Sequence, residues 1–298
     1  MENPKKFKSG YASIIGEPNV GKSTLLNAMM GEKLAIVTPK PQTTRNQITG
    51  IVTTEVYQII FVDTPGVLKP RYRLHNEMVK AAYRAIRDAD VVIYMIDVQQ
   101  PTPLLEESIL DKIQTARQKT ILAINKIDRI SSLALLPIIT EYSEKFPFTE
   151  ILPISAKTKD GVSKLLDLIV AYLPEGPRYF PEDQISDKPE RFFIAETIRE
   201  KLFINAQQEI PYASSVVVEE FKERSNGITY IRALIYAERE SQKRILIGER
   251  GKMIKRIGRL ARMEIEQFLN SRVFLDLHVS VKADWRRDPR KLKDMGYG

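Results

Sequence analysis

The chain contains no cysteine, only two histidines and a single tryptophan among 298 residues. Without thiols there is no disulfide scaffold, no thiolate nucleophile and no Cys-ligated zinc or iron–sulfur cluster. His75 and His278 are too few for a multi-histidine metal centre. No apolar run approaches the roughly 18 residues that a membrane-crossing helix needs. The opening MENPKKFKSG lacks the apolar centre of a signal peptide, so none is expected. Disorder is excluded by a composition that is 43% hydrophobic and 28% charged. What the chain has in excess is positive charge: 46 Lys and Arg against 38 Asp and Glu leave a net +8. Such a balance points to an acidic partner, nucleic acid or anionic membrane, if the excess is concentrated in one place.

The length suits two domains, and the pattern divides the chain. Apolar, β-branched runs at 12–15, 48–52, 56–62, 91–98, 120–124 and 151–154 read as buried strands. Amphipathic stretches at 23–30, 75–87, 103–118, 132–146 and 162–173 lie between several of them. That alternation predicts a doubly wound, mainly parallel α/β domain over 1–180. The second and third runs are too close for a crossover, so they predict an antiparallel hairpin at the sheet edge. Pro174, Pro177, Pro181 and Pro189 mark 174–190 as a linker of limited flexibility. Beyond it, a helix over 191–208, strands over 213–221 and 228–238, an interrupted helical run and a strand over 272–282 predict a small α+β domain at 181–298.

Gly16-Glu17-Pro18-Asn19-Val20-Gly21-Lys22-Ser23 fits G-x-x-x-x-G-K-[ST] between a strand and a helix beginning at Thr24. Glycines let the backbone wrap phosphates with its N–H groups inward. Lys22 would reach the β and γ phosphates, and the Ser23 hydroxyl would hold Mg²⁺. Asp63-Thr64-Pro65-Gly66 closes another strand, where the Asp would hold Mg²⁺ through water and the Gly66 amide would meet the γ-phosphate. Asn125-Lys126-Ile127-Asp128 ends the 120–124 strand. A carboxylate there accepts from guanine N1–H and N2–H₂, and adenine would leave it unpaired, which selects guanine. Ser155-Ala156-Lys157 would offer backbone N–H groups to guanine O6. Thr43 and Thr44, in the polar segment 31–46, are both candidates to close on Mg²⁺ as a switch. Val67 stands where many GTPases place a water-orienting Gln, and its side chain makes no hydrogen bond.

The basic excess is local. Residues 1–180 carry net +4, 181–238 carry −4, and 239–298 carry +8. Between 243 and 262 stand eight basic residues and one acid, Glu249. The run Ile247-Gly248-Glu249-Arg250-Gly251-Lys252, with Ile254 and Lys255, joins two helical turns through G-x-x-G. Such a loop admits a sugar–phosphate backbone, and the flanking aliphatics offer a groove to unstacked bases. Single-stranded RNA is therefore the expected ligand. An anionic-lipid patch is the alternative reading of the same charge. Trp285 is read either as a stacking platform for RNA or as a residue packed in its own domain.

GEPNVGKSTLLN, PQTTR, DTPG, NKID and SAK, followed by ILIGERGKMIKRIG, resemble the bacterial Era family of GTPases, from Tyr11 to about Lys293. The resemblance implies a P-loop GTPase domain and a type II KH domain. It implies GTP and GDP binding and Mg²⁺-dependent hydrolysis. It further implies binding of the 3′ end of 16S ribosomal RNA, maturation of the small ribosomal subunit, a monomer, and a cytoplasmic location with peripheral membrane contact. Thr44 matches the family's Mg²⁺-binding switch residue. Asn19 matches a position that binds potassium in related GTPases with a hydrophobic residue after D-x-x-G.

Overall fold

The computed structural model describes residues 6–67, 72–99, 113–114, 118–225 and 227–297. Its first sheet contains β1 (Lys8–Gly16), β2 (Ile48–Thr53), β3 (Tyr57–Asp63), β4 (Val91–Asp97), β5 (Lys119–Asn125) and β6 (Glu150–Pro153). They lie in the order β2-β3-β1-β4-β5-β6. All neighbours are parallel except β2 with β3, which form the expected antiparallel edge hairpin. Strands buried on both faces need unbroken apolar sequence, and β4 and β5 are buried along almost their whole length. β1 begins earlier than its apolar run because buried Ser9 and Gly10 extend it. A Cβ at Gly10 would lie 2.4 Å from Asp90 Oδ2.

The helices associated with this sheet are α1 (Lys22–Met30), α2 (Arg73–Arg87), α3 (Ser132–Lys145) and α4 (Val162–Tyr172). The helix expected over 103–118 lies outside the described residues apart from 113, 114 and 118. From β1 the chain winds to β3 on one side, then returns to β4 on the other. The C-terminal end of β1 is therefore a topological switch point, where open α/β sheets bind ligands.

The proline-rich segment forms no helix or long strand, yet it is tied along the sheet. Ser9 N donates to Pro174 O at 3.1 Å and Gly176 N to Phe7 O at 3.1 Å. The Gln58 amide accepts from the N–H groups of Tyr179 and Phe180 and donates to Phe180 O. Ile51 N donates to Ile185 O at 2.9 Å. Backbone packing accordingly groups Met1–Ala35, Thr44–Pro70 and Met78–Asp187 in one unit.

The other unit comprises Ile36–Thr43, Arg71–Glu77 and Lys188–Gly298. It contains α5 (Glu190–Asn205), β7 (Ser215–Glu223), β8 (Ile228–Ala237), α6 (Glu240–Ile247), α7 (Lys252–Leu269), β9 (Arg272–Val281) and α8 (Pro289–Asp294). The sheet order is β7-β8-β9, with β8 antiparallel to β7 and parallel to β9. β8 alternates half-buried and buried residues along its length. That period of two puts Ile231, Ala233, Ile235 and Ala237 against Ile194, Leu202, Leu246, Ile257 and Ile265 of the helices. Within this unit, segment 36–43 is fastened to α5. Lys40 Nζ donates to the carbonyls of Phe203 and Ala206 at the end of that helix. Val37 N donates to Glu200 Oε1 at 3.1 Å, and the buried Arg199 guanidinium donates to Thr43 O.

Trp285 is completely buried, donates from Nε1 to Ala213 O at 3.0 Å and stacks on Tyr297. Of its two readings, packing holds: an indole enclosed in this way offers no face to RNA.

Candidate functional site

The phosphate loop connects β1 to α1 as its spacing requires. Gly16, Asn19 and Gly21 have positive φ. A Cβ at Gly16 would lie 2.4 Å from Met95 O, and one at Gly21 would lie 2.3 Å from Asn125 Nδ2. Both glycines are therefore required by close approach as well as by backbone conformation. Lys22 is buried and donates to the loop carbonyls of Gly16 (3.0 Å) and Glu17 (2.7 Å). Burial lowers its ammonium to about 8, against the opposing pull of Asp63 and Glu17. Burial also raises the Glu17 carboxyl.

Asp63, at the end of β3, is fully buried, and burial raises its carboxyl to about 6 despite Lys22 and the Ser23 and Thr44 hydroxyls. Ser23 Oγ donates to Asp63 Oδ2 at 2.7 Å and lies 2.8 Å from Thr44 Oγ1. The Thr43 hydroxyl is engaged elsewhere, 2.6 Å from Thr38 Oγ1 and donating to Lys40 O at 2.7 Å. Of the two threonines, Thr44 is the one gathered with Ser23 and Asp63. Asp63 Oδ1 is buried without a hydrogen-bond partner. An all-oxygen set with one orphaned carboxylate oxygen fits a hard cation such as Mg²⁺.

The D-x-x-G turn lies against the phosphate loop. A Cβ at Gly66 would stand 2.7 Å from Pro18 N, and Val67 N donates to Gly16 O at 3.2 Å. The Val67 side chain is buried among Ile15, Val62, Ala82 and Val98.

The residues expected from the sequence to recognise the base lie at the ends of β5 and β6. Asn125 is buried, donates from Nδ2 to Val20 O at 2.7 Å and accepts from Ala156 N at 2.9 Å. Lys126 has φ 69° and spans between Asn19 O (2.9 Å) and Asp97 Oδ2 (2.5 Å). Asp128 is exposed and accepts from Ser155 Oγ at 2.7 Å, a bond that lowers its carboxyl below the usual range. Sequence reasoning missed Asp97. Its signal was an acid closing the apolar run of β4, the same position that Asp63 takes on β3.

In the second unit, α6 ends at Gly248 and α7 begins after Gly251, with Arg250 also at positive φ. A Cβ at Gly248 would lie 2.7 Å from Met253 Cβ, whereas one at Gly251 would meet only Lys255 Cε, at 3.9 Å. A groove of about 340 Å³ is lined by Ile254, Lys255, Gly258, Arg259, Arg262 and, across it on β9, Phe274, Leu275 and Leu277. Ile254, Gly258 and Arg262 recur every four residues and so share one helix face. Of the predicted RNA residues, Ile254 and Lys255 line this groove. Gly248, Glu249, Arg250 and Gly251 form the loop at its head, with Ile247 ending α6 before it and Lys252 opening α7 after it. Reasoning from the sequence missed Gly258, Arg259, Arg262 and the β9 wall. Gly258 inside a helix was the available signal: its Cβ would stand 3.3 Å from Leu277 Cδ1.

With this geometry in place, the comparisons agree on both units. A family model described as "50S ribosome-binding GTPase" matches residues 11–126, and a KH domain model matches 209–286. GTPase Era of Geobacter metallireducens is 50% identical over 297 residues, 99% of each chain. GTPase Era of Halothermothrix orenii is 48% identical, covering 98% of this chain and 99% of the relative. A crystal structure of an Aquifex aeolicus Era variant bound to GDP·AlF₄⁻ matches with TM-score 0.95 and 40% identity, over 98% of this chain and 100% of that one. So does Era in complex with MgGDPNP and nucleotides 1506–1542 of 16S ribosomal RNA, with TM-score 0.95 and 40% identity, over 98% of this chain and 99% of that one.

Proposed function

The chain belongs to the Era family of GTPases, and from that membership we propose that it couples GTP binding and hydrolysis to recognition of the 3′ end of 16S ribosomal RNA in small-subunit maturation. It is a P-loop GTPase with a C-terminal KH domain. Residues 1–180 carry the nucleotide chemistry in this reading, and 181–298 carry the RNA. The observation that best supports the nucleotide half of this reading is the orphaned Asp63 Oδ1 beside the Ser23–Thr44 hydroxyl pair.

The backbone N–H groups of 16–24 receive the phosphates, and Lys22 exchanges its two loop carbonyls for β and γ oxygens. Ser23, Thr44 and, through water, Asp63 would hold Mg²⁺, which would supply positive charge to the phosphates. The Gly66 N–H meets the γ-phosphate. Asp128 accepts from guanine N1–H and N2–H₂, Lys126 covers the base, and the 155–157 backbone faces O6. Val67 donates nothing from its side chain, so the attacking water is oriented by other groups. Asn19 is the proposed potassium ligand, and potassium there would add positive charge at the phosphates.

The test is RNA affinity measured with GDP and with a non-hydrolysable GTP analogue. A difference of severalfold is expected, and equal affinities overturn the coupling. Single-turnover hydrolysis in potassium against sodium tests Asn19, with faster turnover expected in potassium. No helix among the described residues is long and apolar enough to cross a membrane. We place the protein in the cytoplasm as a monomer, with peripheral membrane contact through the basic 243–262 face. Liposome pelleting competed by RNA tests that contact.

A further inference from the structure

One end of the KH groove runs into an aromatic stack that the G-x-x-G loop does not explain. α7 and β9 are joined by a tight reversal at 270–271, so the start of β9 lies beside the end of α7. Gly258 packs against Leu277 in mid-groove. Phe274 therefore stands at the end remote from Gly248–Gly251. It lines the groove and is 55% exposed.

Phe274 also belongs to a second arrangement. Its ring stacks on Tyr230 of β8, with centroids 5.9 Å apart and planes 20° apart. The guanidinium of Arg224 lies over both rings, 4.5 Å from the Tyr230 centroid and 5.7 Å from that of Phe274. The parallel register of β8 and β9 places residues 230 and 274 opposite one another, on the sheet face away from the helices. The Tyr230 hydroxyl donates to Asp276 Oδ2 at 3.2 Å, which fixes the ring. On these strands Arg232 is paired with Glu219, Lys222 with Glu220 and His278 with Asp276, while Glu223 and Arg272 make no ion pair among the described residues. Arg224 is exposed and makes no ion pair among the described residues. Two ordered rings and a cation without a carboxylate form a surface suited to π-faces and phosphate.

We propose that Arg224, Tyr230 and Phe274 form a second RNA subsite, continuous with the groove, on which the bases following those held in the groove stack. The proposal rests on the RNA-binding reading above. A KH groove clamps about four nucleotides, so a strand that continues past Phe274 arrives at the stack. Arg224 would then meet the backbone or cap a base.

The test uses the full chain and fluorescence anisotropy with four- and eight-nucleotide RNA windows tiled across the 3′ end of 16S ribosomal RNA. Neither Tyr230 nor Arg224 lines the groove, so Tyr230→Ala and Arg224→Gln leave it intact. Each is expected to weaken the eight-nucleotide RNA about tenfold, since a stacked base contributes roughly that much. The four-nucleotide RNA is expected to stay within about twofold. Tyr230→Phe, which keeps the ring, restores the long-RNA affinity. If both variants bind both lengths as the parent does, the subsite is absent. Equal losses at both lengths also overturn it, because they mean damage to the groove. Circular dichroism confirms folding, and Arg224→Gln carries the test should Tyr230→Ala misfold. Failure of the unmodified chain to bind any window overturns the RNA-binding reading itself, and with it this subsite.

Discussion

The side-chain amide of Asn125 donates to the carbonyl of Val20 at 2.7 Å, across 105 positions of sequence. Its oxygen accepts from Ala156 N. One buried residue thus joins the phosphate loop, the β5 end and the loop after β6. Asn125→Ala removes both bonds, at about 1 kcal/mol each. Guanine-nucleotide affinity should fall roughly thirtyfold, as read by titration with a fluorescent GDP. Affinity within twofold of the parent would mean that the three loops hold their places without it.

Asp128 presents a carboxylate that Ser155 orients and keeps ionised. Asp128→Asn replaces an acceptor with a donor opposite the guanine 2-amino group. Preference should move from GTP toward XTP, with GTP affinity lowered about fivefold or more, because a mispaired polar contact costs about 1–3 kcal/mol. Competition between the two nucleotides measures it, and unchanged selectivity would count against the base assignment.

The folded-state carboxyl of Asp63 sits at about 6, above its ordinary 3.8, because it is buried. The folded chain then holds this proton more tightly than the unfolded one. The stabilisation is complete below about pH 4 and is lost as pH rises through about 6. At pH 7.5 the ionised group costs on the order of 3 kcal/mol, the value of about 6 already including the opposing pull of Lys22. Asp63→Asn should raise the melting temperature of metal- and nucleotide-free protein at pH 7.5, and much less at pH 4.5. The same variant should lose Mg²⁺-dependent tightening of GTP. Equal melting temperatures at both pH values would contradict the assigned shift.

Gly251 and Gly248 fail differently. An added side chain at Gly248 collides with Met253, whereas Gly251 faces open space at positive φ. Gly251→Asp should therefore cost only about 1 kcal/mol of stability from backbone strain. It should weaken RNA tenfold or more by setting a negative charge at the head of the groove. Retained RNA affinity in a folded Gly251→Asp protein would place the RNA elsewhere.

Trp285 separates packing from recognition. Trp285→Ala should destabilise its unit by about 3–5 kcal/mol, the usual cost of emptying a large buried aromatic site. Urea denaturation reads the loss. RNA affinity per folded molecule should stay within about twofold, and a selective tenfold loss would revive the stacking reading.

The sheet strands and the four nucleotide motifs were legible because each is local: an apolar run followed by a short polar signature. Thr43 and Thr44 were not separable from spacing, since both sit in one polar segment; opposite hydrogen-bond partners distinguish them only in three dimensions. The proline-rich segment looked like a spacer because its bonds to Ser9, Gln58 and Thr49 are distant in sequence. The groove was half legible. Its loop is contiguous, but its far wall is Phe274, Leu275 and Leu277, brought opposite α7 by the sheet. Asp97 was overlooked because a lone acid at a strand end has no pattern until Lys126 reaches it.

The bonds from Lys22 to the Gly16 and Glu17 carbonyls have a kinetic consequence. A loop braced by its own lysine is a template already cast. Nucleotide capture then needs no slow refolding of the cradle, and on-rates can lie in the ordinary collisional range. Differences in affinity among nucleotides would be written mainly in how long each one stays.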